Sequence, residues 1–355
     1  MNDGIENLFK KDIFSKPGPN YFATPNGYID TIVEVINESY QSIMDNDERN
    51  VRVFCVEGNE LNSRNFLVDV KGEKYFIKRI HQDAFDKVVR ISCLHRFLSS
   101  DLPVPTIINS DKNDSYAQHK DDYYIMMTCV DGVYFDGCRA QPLDSIAQSF
   151  SSLHSKIESF DDKSISFSNI EYTVGDEVDL WSFVLKKKDC LGNYLTADAA
   201  DLIVESIDTV EKELSFTNFY NISAIMMQGL SLTHIDWHPY NLLINNDMVS
   251  GILDIESICK SYFEISIAFG AYKILRQYLI YNKYDRNSVK AIKSYIEQAS
   301  PKPISMAELK KYAKLELLRR IFIILRFAFI KSDNRWTYVL PMHLAGLSET
   351  DYIFE

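Results

Sequence analysis

One stretch constrains the fold of this chain more than any other: Leu232-Thr233-His234-Ile235-Asp236-Trp237-His238-Pro239-Tyr240-Asn241-Leu242-Leu243-Ile244-Asn245. Thirteen residues after Asn241 comes Asp254, within Gly251-Ile252-Leu253-Asp254-Ile255-Glu256. Asp236 and Asn241 lie five apart, so one loop carries both and can aim both into one site. The apolar pieces Leu242–Ile244 and Val249–Leu253, joined by Asn245-Asn246-Asp247, read as a hairpin. A hairpin of that length brings Asp254 back to the loop it left. A lone His-x-Asp is usually an ordinary polar turn, and the register of Asn241 and Asp254 with it is what argues for chemistry.

The residue types match Mg²⁺-assisted phosphoryl transfer. A transferring γ-phosphoryl group spreads negative charge over its oxygens, and the protein contributes positioning and cations more than covalent help. Asp236 is then the group that accepts or orients the proton of an attacking hydroxyl. Asn241 and Asp254 supply the oxygen ligands a hard cation such as Mg²⁺ prefers. His234 is expected to brace the loop rather than titrate in the reaction.

With these residues in place, the segment resembles the catalytic core of the aminoglycoside phosphotransferase, choline kinase and homoserine kinase (type II) superfamily of small-molecule kinases. The resemblance runs from about residue 50 to about residue 275. It is most specific around Lys78, Leu102-Pro103-Val104-Pro105 and His234–Asp254. It implies an α+β, protein-kinase-like bilobal fold: a small lobe with an antiparallel sheet and a helix, and a larger, mostly helical lobe. It also implies a cytoplasmic enzyme that uses ATP or GTP with Mg²⁺ to phosphorylate a hydroxyl of an amino sugar, aminoglycoside, amino alcohol or homoserine-like compound. By the same resemblance Lys78, in Tyr75-Phe76-Ile77-Lys78-Arg79, pairs with the α- and β-phosphates. The linker Met127-Thr128-Cys129-Val130 offers its backbone to the base.

The loop Glu57–Asn65 stands where a phosphate-covering loop belongs. It has a single glycine instead of a G-x-G-x-x-G pattern, so Asn62 and Ser63 with the backbone amides are its candidate phosphate contacts. The chain departs from the family at the helix after Lys78. The position of the usual lysine-pairing glutamate falls at Arg90 or Ile91, which leaves Asp83 or Asp86 as candidate partners. That departure keeps open an alternative, a catalytically degenerate module that binds a nucleotide or metabolite.

The remaining pattern fits this frame. Residues 1–50 read as an N-terminal arm and an amphipathic helix, 51–130 as the nucleotide lobe and 131–355 as the helical lobe with the catalytic loop and substrate pocket. Strands are expected at Val51–Val56, Asn65–Val70, Lys74–Ile80, Thr106–Asn109 and Tyr123–Cys129, with a helix over about 84–99 stopped by Pro103. After Asp254 the chain runs directly into an apolar helix near Tyr262, leaving no room for the activation segment that protein kinases place there. Ile235 stands where those kinases carry an arginine. Both features favour a small acceptor over a protein.

Helices near 174–200, 262–282 and 305–345 are the expected pocket walls, with Asp176, Asp179, Trp181, Glu256, Glu264 and Trp336 as candidate lining groups. Acidic walls would suit an amine and aromatic walls a choline-like cation, whereas a carboxylate would need Arg319, Arg320 or Arg326. The net charge of −12 argues against nucleic acid as a partner. Six singly placed cysteines without a CxxC pair suggest buried thiols in a reducing compartment. The N-terminus lacks the apolar core of a signal peptide, and the run Ile321–Ile330, interrupted by Arg326, is too short to span a bilayer.

Overall fold

A computed structural model describes residues 21–23, 26–44, 51–56, 63–170, 174–219, 229–282 and 285–355. The N-terminal part is a seven-stranded sheet. Its strands are β1 (Tyr21–Ala23), β2 (Val51–Val56), β3 (Ser63–Val70), β4 (Glu73–Ile80), β5 (Ile107–Ile108), β6 (Ala117–His119) and β7 (Asp122–Thr128). They follow the order β1-β2-β3-β4-β7-β5, with β6 also on β7, and every pairing is antiparallel. The β3–β4 turn holds Lys71 and Gly72 at φ of 55° and 93°, the left-handed pair that a two-residue hairpin turn requires. The short strands β1 and β6 were not expected from the sequence; three residues are too few to show an alternating pattern.

Alternation along β4 and β7 sorts two apolar layers onto opposite faces. Ile77 and Met126 face helix α1 (Asn26–Ser39), which the short α2 (Gln41–Met44) follows, and pack there with Ile32, Val35, Ile36 and Phe66. Ile80, Ile125 and Met127 face helix α3 (Phe85–Leu98), where they meet Val88 and Ile91. Lys78 pairs with Ile125 across the ladder, so it points to the α3 side, buried to 5% exposure.

Beyond Thr128 the chain is mainly helical: α4 (Pro142–Glu158), α5 (Val174–Lys186), α6 (Ala197–Glu205) and α7 (Ile207–Thr217) precede the catalytic segment. A helix of 19 residues, α8 (Phe263–Tyr281), follows it, then α9 (Arg286–Ala299), α10 (Met306–Lys331) and α11 (Leu340–Ile353). The longest helix, α10, starts at a capping box: Ser305 Oγ accepts the Glu308 N–H at 3.2 Å and the Glu308 carboxylate accepts the Ser305 N–H at 3.0 Å. Leu315, Leu317, Leu318, Ile321, Phe322 and Leu325 of α10 are buried, placing it at the centre of the larger core. The run Ile321–Ile330 is thus part of a core helix, and no helix among the described residues is long and apolar enough to cross a membrane. The expectation of buried thiols needs correcting. Cys259 is buried, Cys138 is exposed and the other four are half-buried.

Five short strands, in a three-stranded sheet and a pair, surround the site. Strand β8 (Val133–Tyr134) pairs with β10 (Leu242–Asn245), and β10 pairs with β11 (Met248–Ile252). The β10–β11 turn carries Asn246 and Asp247 at φ of 51° and 63°. Strands β9 (Ser231–His234) and β12 (Ile258–Ser261) pair antiparallel, with Ile258 opposite His234. The Pro103 carbonyl accepts the Ile252 N–H at 2.7 Å, so the Leu102–Pro105 element docks the N-terminal part onto the end of β11, two residues before Asp254.

Candidate active site

The loop after β9 is built on buried contacts. Trp237 is fully buried, edge-on to Phe150 at 5.3 Å and to His234 at 5.9 Å. Gly270 of α8 makes room for it, since a Cβ there would lie 3.1 Å from the Trp237 Cβ. Ser266 Oγ donates to the His234 carbonyl at 2.7 Å, and the His234 N–H donates to His154 Nε2 at 3.3 Å. His154 in turn donates from Nδ1 to the Phe150 carbonyl at 2.9 Å, and burial pushes its pKa down to about 3, so it stays a neutral acceptor. Burial also lowers the pKa of His234, which has no exposed surface. Its position suits bracing rather than proton transfer.

Held this way, Asp236 leaves the core and stays about one-quarter exposed. His238 Nε2 stands 3.3 Å from its Oδ2 and Arg320 Nη2 of α10 stands 3.0 Å from its Oδ1. Burial pushes the Asp236 carboxyl up, but the neighbouring His238 and Arg320 outweigh it and hold the group well below the ordinary carboxylate range. Arg320 is itself fixed by Glu316, by the Ile235 carbonyl at 3.3 Å and by the Phe269 ring at 4.3 Å. Glu316 is fully buried, and burial alone would raise its pKa; Arg319 and Arg320 lower it instead. Sequence reading offered Arg320 as a ligand for a substrate carboxylate or, more simply, as an ion-paired helix residue, without naming Asp236 as its partner. Its contact with Asp236 joins distant parts of the chain and leaves no local signal.

Asn241 Nδ2 donates to the Asp236 carbonyl at 2.9 Å, which turns its Oδ1 the other way. Asp254 sits at φ 55°, ψ 45°, a left-handed conformation that aspartate tolerates better than most residues. That conformation ends the β11 run and turns the chain into the Ile255–Ser257 turn, where Ser257 Oγ donates to the Asp254 carboxylate. The Leu253 N–H donates to the Asn241 carbonyl at 2.8 Å, so the two candidate metal ligands belong to one hydrogen-bonded unit. Together they offer two oxygen donors. No group of three or more His, Cys, Asp or Glu able to hold a metal occurs among the described residues. Two protein ligands fit Mg²⁺ carried in on nucleotide phosphates, since Mg²⁺ keeps waters and takes few carboxylates.

The partner of Lys78 differs from both sequence candidates. Its ammonium is paired with the Glu256 carboxylate, two residues beyond Asp254. Asp83 instead lies beside His81 at the exposed start of α3. The helix face toward the cleft presents Ile91 and, one turn later, His95, which donates from Nδ1 to the Pro105 carbonyl at 2.8 Å. Burial, aided by Lys78, lowers the pKa of His95 to about 4, so α3 presents a neutral group to this lysine.

In the linker, Met127 faces the α3 side with Phe76, whereas Met126 faces α1. Thr128 Oγ1 accepts the Thr106 N–H at 3.0 Å, and the Cys129 N–H reaches the Lys74 carbonyl at 3.4 Å. Val130 lies close against the hairpin, 3.1 Å from where a Cβ on Gly251 would stand. The loop Glu57–Asn62, with Asn62, lies outside the described residues, as does the side chain of Ser63.

A cavity of about 480 Å³ opens at Asp236. Lys273, Arg276 and Gln277 of α8 form one wall, and Arg319, Arg320, Ile323 and Ile324 of α10 form another. Trp336 and Tyr338, stacked at 6.4 Å, close it with Met342 and His343 of α11. Of the expected lining groups only Trp336, Arg319 and Arg320 are there. Trp181 is buried against Phe322, Glu256 holds Lys78, and the side chain of Asp176 lies outside the described residues. Asp179, Glu264 and Arg326 do not line the cavity, and among the described residues the 174–200 segment contributes nothing to it.

The model of the phosphotransferase enzyme family matches residues 56–264, more than half of the chain. The chain belongs to that family and is a phosphotransferase. Solved structures share its fold at low sequence identity. A spectinomycin phosphotransferase in complex with ADP and spectinomycin aligns with a TM-score of 0.65 and 13% identity over 92% of this chain and 97% of its own. Choline kinase from Cryptosporidium parvum Iowa II and a microcompartment-associated aminopropanol kinase each align with a TM-score of 0.54 and 13% identity, over 91% of this chain and 95% of theirs. The bilobal kinase-like fold expected from the sequence is the fold observed. No curated protein sequence matches the chain.

Proposed function

We propose that this phosphotransferase moves the γ-phosphoryl group of ATP, or GTP, to the hydroxyl of a small molecule, with Mg²⁺. One observation carries the reading: Asp236 lines the cavity while its loop is hydrogen-bonded to Asn241 and through it to Leu253, the residue before Asp254. Acceptor, nucleotide and metal thereby converge on one short segment. Solved structures of similar fold hold ADP with spectinomycin, or AMP-PNP with Ca²⁺, which supports a nucleotide in the cleft.

In this reading the acceptor oxygen bonds to the γ-phosphorus as the bridging oxygen departs with the nucleoside diphosphate. The hydroxyl proton passes to Asp236. Held anionic by Arg320 and His238, Asp236 orients the hydroxyl first and takes its proton late, as suits a loose transition state. Lys78 and the linker backbone at Met127–Val130 position the nucleotide. Asn241 and Asp254 hold Mg²⁺, which would offset charge on the phosphate oxygens. The degenerate alternative rested on the missing helix carboxylate, and with Glu256 beside Lys78 it loses that support.

The test is nucleoside diphosphate release with Mg²⁺ against hydroxylated metabolites, comparing the wild type with Asp236→Asn. Stimulation by an acceptor class that vanishes in the variant supports the proposal. Wild-type-like turnover in the variant, or no nucleotide binding, sinks it.

A further inference from the structure

The cavity beside Asp236 has a charge opposite to the one the net charge of the chain would suggest. Among the described residues lining it are four permanent cations, Lys273, Arg276, Arg319 and Arg320, and a single carboxylate, that of Asp236. The other acids that balance these cations are placed behind the walls. Glu349, 1% exposed, holds Arg276 at 2.6 Å from within the core, and the fully buried Glu316 holds Arg319 and Arg320. Neither glutamate lines the cavity. The two buried glutamates fix the three arginines in place, and with Lys273 these line the space a ligand would enter.

Lys273 and Arg276 lie three residues apart on α8, so they share one helix face. The Lys273 ammonium reaches Met342 Sδ at 3.1 Å and lies 5.9 Å from the Phe269 ring centre. His343, 4% exposed, adds a second kind of observation. It lines the same cavity, and its Nδ1 is buried without a hydrogen-bond partner. A buried ring nitrogen left this way costs free energy unless a bound group satisfies it. Burial and the nearby Lys273 and Arg320 hold this ring neutral, so one of its nitrogens is available as a donor.

We infer that the acceptor carries an anionic group, a carboxylate or a phosphate, set against Lys273 with its hydroxyl at Asp236 and its apolar body against Trp336 and Tyr338. This rests on the phosphotransferase reading above and narrows its acceptor class, away from amino sugars and amino alcohols. An ammonium in this cavity would face four cations against the one carboxylate of Asp236; an acid meets complementary charge at Lys273. Discrimination here comes as much from rejecting the wrong sign as from binding the right one.

Two probes of equal shape and opposite charge test this: 4-(hydroxymethyl)benzoate and 4-(hydroxymethyl)benzylamine, with 4-(hydroxymethyl)phenyl phosphate as a third arm. Each is titrated into the full chain loaded with Mg²⁺ and a non-hydrolysable ATP analogue. The signal is the fluorescence of Trp336, assigned by its loss in Trp336→Phe. The expected result is a preference of at least about tenfold for an acid over the amine, and the tighter acid names the anion. Lys273→Gln should remove most of that preference and Lys273→Arg should keep it, while nucleotide affinity stays unchanged in both. A smaller preference, none at all, an absence of saturable binding by either acid, or a preference that survives Lys273→Gln would overturn the inference. Nucleotide affinity is read on the same samples. A chain that prefers the acid but binds no nucleotide would refute the phosphotransferase reading and leave the charge selectivity standing.

Discussion

The Lys78 ammonium and the Glu256 carboxylate form an ion pair across the cleft, joining strand β4 to the turn that begins at Asp254. Both side chains are about nine-tenths buried or more. In kinases of the protein-kinase type the partner of this lysine sits on the helix that follows it. Here the partner arrives two residues after Asp254, so the proposed phosphate clamp and the proposed metal ligand are tied to one turn. On that proposal, nucleotide binding and the position of Asp254 would be coupled through Glu256 rather than through a carboxylate on α3.

That coupling predicts a specific pattern of stability. Glu256→Gln leaves a buried ammonium without its counter-charge and should destabilise the nucleotide-free protein by about 3 kcal/mol. Replacing both partners, Lys78→Met with Glu256→Gln, should cost less than the single change at Glu256, because no charge is stranded. Urea denaturation of the four proteins of the cycle measures the coupling. Additive effects would mean that the pair does not form in solution. The Michaelis constant for nucleotide should also rise about tenfold or more in Glu256→Gln, since Lys78 loses the group that aims it.

Asp236→Asn should keep the shape of the loop and both proposed metal ligands, Asn241 and Asp254. Turnover should fall about 10²- to 10⁴-fold, the usual size of a lost proton acceptor. Nucleotide affinity should stay within about threefold, because Asp236 faces the acceptor cavity rather than the clamp. Parallel loss of nucleotide affinity, measured by titration with a fluorescent nucleotide, would argue that Asp236 supports the fold of the cleft instead.

The contrast between these two sites explains what the sequence could and could not reveal. Asp236, Asn241 and Asp254 lie within one loop and one hairpin, so their grouping follows from local spacing and a readable Asn-Asp turn. The strands β2, β3, β4 and β7 were legible for the same reason: alternation, and the Lys71-Gly72 turn between two of them. The Lys78 partner was sought on α3, where the family places it, and missed because nothing local marks Glu256 as different from any turn acid. Arg320 and the cationic wall escaped for a related reason. Lys273 and Arg276 lie on one helix and Arg319 and Arg320 on another, and only helix packing puts the four around one space. Patterns within an element are visible in a sequence; the sign of a cavity shared between elements is not.

Metal dependence should follow the donor count. With two protein oxygens on offer, Mg²⁺ alone should bind only in the millimolar range, and affinity should rise steeply once nucleotide is present. Isothermal titration of Mg²⁺ with and without a non-hydrolysable ATP analogue checks this. Asp254→Asn should abolish the nucleotide-dependent gain while leaving the thermal midpoint of the metal-free protein close to that of the wild type. Tight Mg²⁺ binding without nucleotide would mean that further ligands exist, from Glu256 first of all.

Arg320 sets the pH range over which Asp236 can work. Burial by itself would raise the Asp236 carboxyl above its ordinary value of 3.8; His238 and Arg320 bring it well below. A carboxyl lowered in this way is anionic throughout the neutral range, so the acid limb of kcat/KM should contain no contribution from Asp236 above about pH 5. The sign for stability is the same. The lowered group contributes stability that is fully present above its unfolded value and is lost as the pH falls through the folded one. Arg320→Gln removes one of the two groups that lower this carboxyl, and the acid limb should move up. Glu316 keeps Arg319 in this variant, so the α10 core should remain intact. Because Arg320 acts through Asp236, the effect should appear in the pH profile and in kcat more than in the affinity for nucleotide. A variant with lowered activity but an unmoved acid limb would show that Arg320 serves the acceptor directly and does not tune the carboxylate.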